Sequence, residues 1–207
     1  MKGRFISLEG GEGVGKSTQL KRLAAALRQR GHEVVETREP GGSPGAEAIR
    51  ALLLEGEAER WTPQAEALLF AAARADHVAR TIRPALEGGA WVLSDRFLDS
   101  SLAYQGGAGG VGEAAVRRLH DVGSFGLLPD RTVLLHLPAE AAATRAAHRD
   151  GGAGDRIGGK GAAYHADVAA GFRALAEAEP GRFRLVDAAG SEDQVAVRIL
   201  AALDDSL

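Results

Sequence analysis

The segment GGEGVGKS, residues 10–17, places glycines, a lysine and a serine in the pattern G-x-x-x-x-G-K-S. Glycines let backbone N–H groups turn toward a phosphate, and the N-terminus of a following helix adds partial positive charge. In such a loop Lys16 reaches the β- and γ-phosphates and the Ser17 hydroxyl ligates Mg²⁺. An apolar run precedes the segment and a helical pattern follows it, so we interpret it as a triphosphate-binding loop and not as an incidental turn. The predicted triphosphate-binding residues are Gly10, Gly11, Glu12, Gly13, Val14, Gly15, Lys16, Ser17 and Thr18.

Three arginines stand where a second phosphate could be bound. Arg38 and Arg96 each follow a predicted strand, and Arg74 lies on a predicted helix between them. Ligands of open parallel sheets bind beyond the carboxyl ends of the strands, so we expect Arg38 and Arg96 on the same rim as Lys16. Two phosphates held in line need positioned guanidinium groups. The arginines therefore predict a phosphotransferase with an anionic acceptor.

Other classes of phosphate-loop protein fit the sequence less well. A GTPase reads guanine with Asn-Lys-x-Asp, and this chain has no asparagine. A D-x-x-G match at Asp155–Gly158 lies late in the chain, in a glycine-rich stretch, and we interpret it as chance. Motor and transport ATPases usually bring larger chains and partner-binding extensions. A nucleotide-gated binding module stays an alternative, although a switch does not need an acceptor pocket.

The rest of the sequence predicts the elements that position these residues. Apolar runs alternate with longer helical patterns over 207 residues. This order predicts an α/β phosphate-loop NTPase fold of one domain, 1–207, with a five-stranded parallel sheet, helices on both faces and a short flexible lid. The predicted strands are 4–9, 33–37, 91–95, 131–137 and 183–188. A first helix contains Leu20 to Leu27, and the further predicted helices are 62–86, 112–123, 138–149, 162–178 and 192–204.

Composition excludes several functions. The formal net charge is −3, which does not indicate a protein that coats a polyanion. The absence of cysteine excludes disulfides, thiolate metal sites and a cysteine nucleophile, and the six histidines lack the spacing of a zinc site. The first apolar run is too short for the core of a secretory signal and is broken by Glu9, and no apolar run reaches membrane-spanning length. We therefore expect a cytoplasmic protein with no nucleic-acid or membrane partner.

Five motifs together resemble the thymidylate kinase family of bacterial type. They are FISLEGGEGVGKSTQLKRL, TREPGG, LLFAAARADHV, SDRFLDSSLAYQGG, and DRI followed by a helix and FRLVDA. They occur in the family's order from about residue 4 to 188, and REPGG combined with DRF and AYQGG is more specific than the phosphate loop. The resemblance implies transfer of the γ-phosphoryl group of ATP to dTMP, with Mg²⁺, giving dTDP and ADP for dTTP synthesis. It also implies a homodimer.

The resemblance assigns roles around the acceptor. The REPGG loop would border the dTMP pocket, Phe70 would stack on the base, Arg74 would read the thymine carbonyl edge and Arg96 would hold the phosphate. The Tyr104 ring would lie under the deoxyribose and disfavour a 2′-hydroxyl. The implied dTMP-binding residues are Glu39, Pro40, Phe70, Arg74, Arg96, Ser100, Ser101, Tyr104 and Gln105. The implied metal environment is Ser17, Asp95 and Glu9.

Lys16 is the only basic residue in the phosphate loop, and the family resemblance implies that such a loop goes with a catalytic arginine supplied by the lid. The candidates in a lid at roughly 145–161 are Arg145, Arg149 and Arg156, since closure would deliver charge and exclude water. The predicted catalytic residues are Lys16, Arg96, Arg149, Arg156 and Glu12. After DRI, the glycine-rich residues 158–161 depart from the family's acidic residue and aromatic pair, which leaves the ordering of the lid open. A kinase for another monophosphate or for a nucleoside also stays open.

Overall fold

Five parallel strands form one sheet in the order β2-β3-β1-β4-β5. The computed structural model describes residues 3–57, 59–150 and 155–206, without the side chains of 139, 146–150 and 206. The strands are β1 (Phe5–Glu9), β2 (Val34–Arg38), β3 (Trp91–Asp95), β4 (Arg131–His136) and β5 (Phe183–Asp187). The predicted five-stranded parallel sheet is therefore confirmed, with every strand within one residue of its predicted bounds.

Helices cover both faces of the sheet, as predicted. Successive residues of β1 face opposite sides: Ile6 and Leu8 pack with Leu27 of the first helix and Ile199 of the last, whereas Phe5 packs in a second core with Phe172. Both cores are buried, so the sheet has no solvent-exposed face at its centre. The helices are α1 (Lys16–Gln29), α2 (Pro44–Leu54), α3 (Pro63–His77), α4 (Arg83–Glu87), α5 (Leu98–Ser101), α6 (Glu113–Ser124), α7 (Ala139–Asp150), α8 (Ala162–Ala178) and α9 (Glu192–Ala202).

The predicted helix over 62–86 is interrupted. Thr62 caps α3 by accepting a hydrogen bond from the Ala65 N–H, as the sequence indicates, but a π-helical segment, Val78–Ile82, separates α3 from α4. Pro84 has no N–H to complete the regular helical ladder, which accounts for the irregular turn before it. A second π-helical segment, Leu102–Ala108, continues α5.

The helix α2 was not predicted. Ser43 caps it by accepting a hydrogen bond from the Ala46 N–H, Pro44 lies in the first turn and Glu47 supplies an acid there. These start signals are present in the sequence, but the turn-like composition of TREPGGSPG conceals them.

Strand register brings the predicted site residues to one rim. Leu8 of β1 and Arg38 of β2 both lie opposite Asp95 of β3, so the residues that follow these three strands emerge together. This rim carries the phosphate loop, the REPGG loop and Arg96. Within the described part of the chain, no helix is both long and apolar enough to cross a membrane.

Candidate active site

A cavity of about 460 Å³ lies at this rim and contains most of the predicted site residues in its wall. Its size is that of a small-molecule site. The wall combines the phosphate loop, the REPGG loop, α3 and α5, so the triphosphate side and the acceptor side are continuous. The predicted residues that line it are Glu12, Gly13, Gly15, Lys16, Ser17, Thr18, Glu39, Pro40, Phe70, Arg74, Asp95, Arg96, Ser100, Ser101, Tyr104 and Gln105.

The phosphate loop wraps around its lysine. Lys16 Nζ donates to the carbonyl oxygens of Gly10 at 3.1 Å and Gly11 at 2.7 Å. Gly10 has φ +133°, and a Cβ there would collide with the Leu135 carbonyl oxygen, so glycine is required. Burial, together with the charge of Arg96, lowers the pKa of Lys16 to about 8. A bound anion would offset the cost of desolvating this ammonium group. The other predicted triphosphate-binding residues, Gly10, Gly11 and Val14, do not line the cavity.

Ser17 and Asp95 form an oxygen pair beside the loop. Ser17 Oγ donates to Asp95 Oδ2 at 2.5 Å, and both residues line the cavity. Hydroxyl and carboxylate oxygens are the ligands that Mg²⁺ prefers, and Mg²⁺ often uses one or two protein oxygens besides substrate phosphates. Among the residues whose side chains are described, no cluster of three or more His, Asp and Glu could hold a metal alone. The pair therefore fits Mg²⁺ that arrives with a nucleotide.

Glu9, the third predicted metal residue, lies behind the cavity wall. Its side chain is fully buried, and its carboxylate oxygens accept hydrogen bonds from the Phe97 N–H at 2.7 Å and from Ser100 Oγ at 2.5 Å. Burial, together with the charge of Asp99, raises the pKa of Glu9 to about 8. These contacts orient the segment after β3. We therefore revise the predicted metal role of Glu9 to a positioning role.

Arg96 crosses from the acceptor side to the phosphate loop. It adopts a left-handed backbone, φ +72°, which is uncommon for a residue with a side chain. Its Nη2 donates to Glu12 Oε1 at 2.6 Å, and its Nη1 donates to Ser100 Oγ at 3.0 Å and to the Gly10 carbonyl oxygen at 3.1 Å. The guanidinium also lies over the Tyr104 ring, 5.1 Å from its centroid. It is thus held at the boundary between the two halves of the cavity.

Arg74 belongs to a buried polar network. Its Nε donates to Glu39 Oε2 at 2.7 Å, and its Nη2 donates to Ser101 Oγ at 2.7 Å. His77 Nδ1 donates to the other oxygen of Glu39 at 3.0 Å, and His77 Nε2 lies 2.7 Å from Thr37 Oγ1. Burial would raise the pKa of Glu39, but the charge of Arg74 and the hydrogen bond from His77 outweigh it and lower that pKa. The network fixes Arg74 in the wall.

The three candidate lid arginines differ in their position relative to the cavity. Arg145 lines the cavity and donates to the carbonyl oxygens of Ala188 at 3.1 Å and Gly190 at 3.4 Å. The side chain of Arg149 lies outside the described residues. Arg156 is not in the cavity wall: it is buried, and its Nη2 donates to Glu66 at 2.5 Å. The predicted catalytic role of Arg156 therefore does not match its position, because an ion pair with α3 holds it.

The structure also adds wall residues that the sequence did not reveal. Arg50 of α2 is partly buried, donates to the Pro40 carbonyl oxygen at 2.6 Å and faces the cavity. The cap signals of α2 could have placed it there. Arg38, by contrast, was expected at this rim from the sequence; it faces the cavity and pairs with Glu47 at 3.2 Å. Phe97, Leu54, Asp155 and Ile157 carry no sequence signal of this kind.

A parallel sheet, a phosphate loop and a second arginine-lined pocket in the same cavity define a phosphate-loop kinase that acts on a small phosphorylated acceptor. The more specific assignment follows from comparison with known proteins. Residues 8–199 match the family model "Thymidylate kinase". The chain belongs to the thymidylate kinase family, as the resemblance of its motifs implied.

Individual relatives are similar to this chain over nearly its whole length and theirs. The chain is 63% identical to the thymidylate kinase of Rhizorhabdus wittichii over 207 residues, which is all of both chains. It is 50% identical to the thymidylate kinase of Caulobacter vibrioides, covering 96% of this chain and 94% of that one. The crystal structure of thymidylate kinase from Ehrlichia chaffeensis superposes with a TM-score of 0.78 at 28% identity, covering 98% of this chain and 99% of that one.

Proposed function

We propose that this cavity brings ATP and dTMP together, so that the γ-phosphoryl group of ATP passes to dTMP and gives dTDP and ADP. The reaction is that of the thymidylate kinase family, to which the chain belongs. The observation that carries the placement is that Lys16, Arg96 and Arg74 line one continuous cavity. Two anionic nucleotides placed there would meet with their phosphates between Lys16 and Arg96.

The phosphate loop binds ATP. Backbone N–H groups of residues 13–18 and the N-terminus of α1 surround the triphosphate, and Lys16 exchanges the carbonyls of Gly10 and Gly11 for phosphate oxygens. Ser17 and Asp95 would hold Mg²⁺, which neutralises phosphate charge when it is bound. The protein itself contributes positioning and electrostatic stabilisation, and no covalent intermediate is needed.

The arginine side binds dTMP. Arg96 holds the acceptor phosphate, after releasing Glu12 and the Gly10 carbonyl oxygen. Phe70 and Arg74 bind the base, Pro40 borders it, and the Tyr104 ring excludes a 2′-hydroxyl. Glu39 and Ser101 accept hydrogen bonds from Arg74 and fix it. Ser100 accepts a hydrogen bond from Arg96 and fixes that arginine. Arg145, which faces the cavity, replaces Arg156 as the lid arginine that supplies charge to the transferring group.

A homodimer is part of the proposal. The adjacent helices α3 and α6 carry exposed apolar side chains: Leu68 is 55% exposed and Val122 81%, and Phe125, directly after α6, is 75% exposed. The helices touch closely, because a Cβ on Gly123 would meet Ala75. Sedimentation should show a dimer that Leu68→Glu with Val122→Glu dissociates. The cytoplasmic location and the absence of nucleic-acid and membrane partners stay predictions of the sequence.

A panel of acceptors tests the proposed reaction. ADP release is measured with dTMP, dUMP, UMP, CMP, AMP and thymidine at equal concentrations. We expect dTMP to give the highest kcat/KM and thymidine to give no turnover. Faster turnover of UMP, CMP or AMP would assign another monophosphate kinase. Slow ATP hydrolysis that no monophosphate accelerates would assign a nucleotide-gated binding module.

A further inference from the structure

Glu66 on α3 joins the base of the predicted lid to the acceptor pocket. Its side chain is 6% exposed, and its carboxylate accepts hydrogen bonds from Gln105 Nε2 at 3.0 Å and from Arg156 Nη2 at 2.5 Å. Lys160 Nζ lies 3.7 Å from the same carboxylate. Arg156 is anchored in turn, because its Nε donates to the Leu53 carbonyl oxygen at 2.8 Å. Three segments that are distant in sequence thus meet at one buried carboxylate.

An ionised carboxylate decides which end of a neighbouring amide faces it. Burial would raise the pKa of Glu66, but the hydrogen bonds from Gln105 and Arg156 and the charge of Lys160 outweigh it and lower that pKa. Glu66 is therefore an anion at neutral pH and can only accept hydrogen bonds. The Gln105 amide must therefore turn its NH₂ group, and not its oxygen, toward Glu66.

This constraint leaves the amide oxygen of Gln105 for a ligand. Gln105 lines the cavity, and among the residues whose side chains are described none donates a hydrogen bond to its Oε1. Oε1 is also not among the buried side-chain polar atoms that lack a partner, so the protein does not enclose it. An acceptor atom is therefore fixed in the pocket wall, and it favours a ligand that offers a donor there.

We propose that Glu66 and Arg156 are positioning residues that select the base of the acceptor by holding the Gln105 carbonyl oxygen toward it. The inference rests on the proposed function, which places the base at Phe70 and Arg74, and on Gln105, which lines the same cavity and is a dTMP-binding residue that the family resemblance implies. N3 of thymine carries a hydrogen and donates to this oxygen. N3 of cytosine carries a lone pair, so the two acceptors would face each other without a proton, which disfavours cytosine. Arg156 acts through Glu66 and does not touch the reacting phosphates.

The test compares dTMP with 5-methyl-dCMP, which has the same methyl group, sugar and phosphate and differs only at the N3 and C4 edge. In Glu66→Gln, the introduced amide can accept from Arg156 and donate to the Gln105 oxygen, which turns the Gln105 NH₂ group toward the base. We expect KM for dTMP to rise about tenfold. The kcat should stay within about threefold and KM for ATP should be unchanged. The kcat/KM ratio of dTMP to 5-methyl-dCMP should fall at least about tenfold.

Two further variants separate this role from others. Gln105→Ala should also lower the ratio, and Glu66→Gln should lower it no further in that background, since coupled residues are not additive. Arg156→Met should raise KM for dTMP and lower the ratio, whereas a catalytic arginine would lower kcat and leave the ratio intact. Thermal unfolding checks that each variant is folded.

The outcomes are distinguishable. A folded Glu66→Gln with an unchanged ratio overturns the inference. If that variant does not fold, an unchanged ratio in Gln105→Ala overturns it equally. A wild-type protein that does not phosphorylate dTMP contradicts the proposed function, whereas an active wild type with unaltered variants contradicts only the inference.

Discussion

The guanidinium of Arg96 bridges to Glu12 of the phosphate loop, with Nη2 2.6 Å from Oε1, so the two halves of the cavity are joined by one ion pair. The Arg96 side chain is 16% exposed and that of Glu12 is 30% exposed. In the proposed reaction, an incoming acceptor phosphate would compete with Glu12 for Arg96. Arg96 occupies this boundary from a left-handed backbone, φ +72°, which is uncommon for a residue with a side chain.

Arg96→Ala tests the acceptor assignment. Without the guanidinium, the acceptor phosphate loses its main counter-charge, and we expect kcat/KM for dTMP to fall by about 10²–10³. KM for ATP should change far less. Steady-state kinetics provide the measurement, with Arg22→Ala as control because Arg22 pairs with Glu192 and Asp193 outside the cavity. Normal dTMP turnover by Arg96→Ala would remove Arg96 from the acceptor site.

Arg145→Ala tests the lid assignment. Arg145 faces the cavity and is held by the carbonyl oxygens of Ala188 and Gly190, whereas Arg156 is buried against Glu66. We expect Arg145→Ala to lower kcat by about 10–10³ because an arginine near the transferring group stabilises its charge. Single-turnover kinetics separate this loss from slow product release. Were kcat unaffected, Arg149 would become the leading lid arginine.

Gly42→Ala tests how the REPGG loop is packed. Gly42 has φ +85°, and a Cβ there would collide with His77 Nε2 and Thr37 Oγ1. The left-handed backbone costs about 1–2 kcal/mol for alanine, and the collision adds about 1–3 kcal/mol. Urea denaturation should thus give a total loss of about 2–5 kcal/mol in the free energy of unfolding.

Gly31→Ala is the matched control for that variant. Gly31 has nearly the same backbone, φ +86°, with open space around its Cβ position. It should lose only the backbone contribution, about 1–2 kcal/mol. Equal losses in the two variants would show that Gly42 is not packed against the His77 network.

The ion pair of Glu66 should give a pH-dependent contribution to stability. The folded-state pKa of Glu66 is lowered below 4.5, so its contribution is present above about pH 4.5 and is lost as pH falls through the folded value. At pH 7 we expect Glu66→Gln to lower the free energy of unfolding by about 3 kcal/mol, because Arg156 loses its buried counter-charge. The gap should narrow at pH 4, because Glu66 of the unfolded chain begins to bind a proton there while the ion pair of the folded protein opposes protonation. A gap that widens toward acid, or that also appears for exposed Glu57→Gln, would contradict this account.

Local patterns predicted the sheet and the phosphate loop because their determinants are continuous in sequence. Apolar runs fix strands such as β3, and the rule that ligands bind at carboxyl ends of strands placed Arg96 at the rim. The family resemblance added the roles of Phe70 and Arg74, for which the sequence alone favoured core and solvent. Both residues do line the cavity.

Long-range partners could not be predicted in the same way. Arg156 meets Glu66 across 90 positions, and no local pattern indicates that this arginine is buried while Arg145 is not. Glu9 ends strand β1 at the phosphate loop, and the family resemblance implied a metal role for it. Its hydrogen bonds to Phe97 and Ser100, 88 and 91 positions away, instead enclose it. Burial and pairing across the fold, not residue type, decide these roles.

A single ligand that joins both nucleotides tests the shared cavity most directly. Adenosine and thymidine linked 5′ to 5′ through five phosphates should bind with one molecule per chain in isothermal titration calorimetry, more tightly than ATP or dTMP alone. Lys16→Ala and Arg96→Ala should each weaken it, and ATP and dTMP should each compete with it. Two bound molecules per chain, or competition by ATP but not by dTMP, would contradict the claim that one cavity holds both nucleotides.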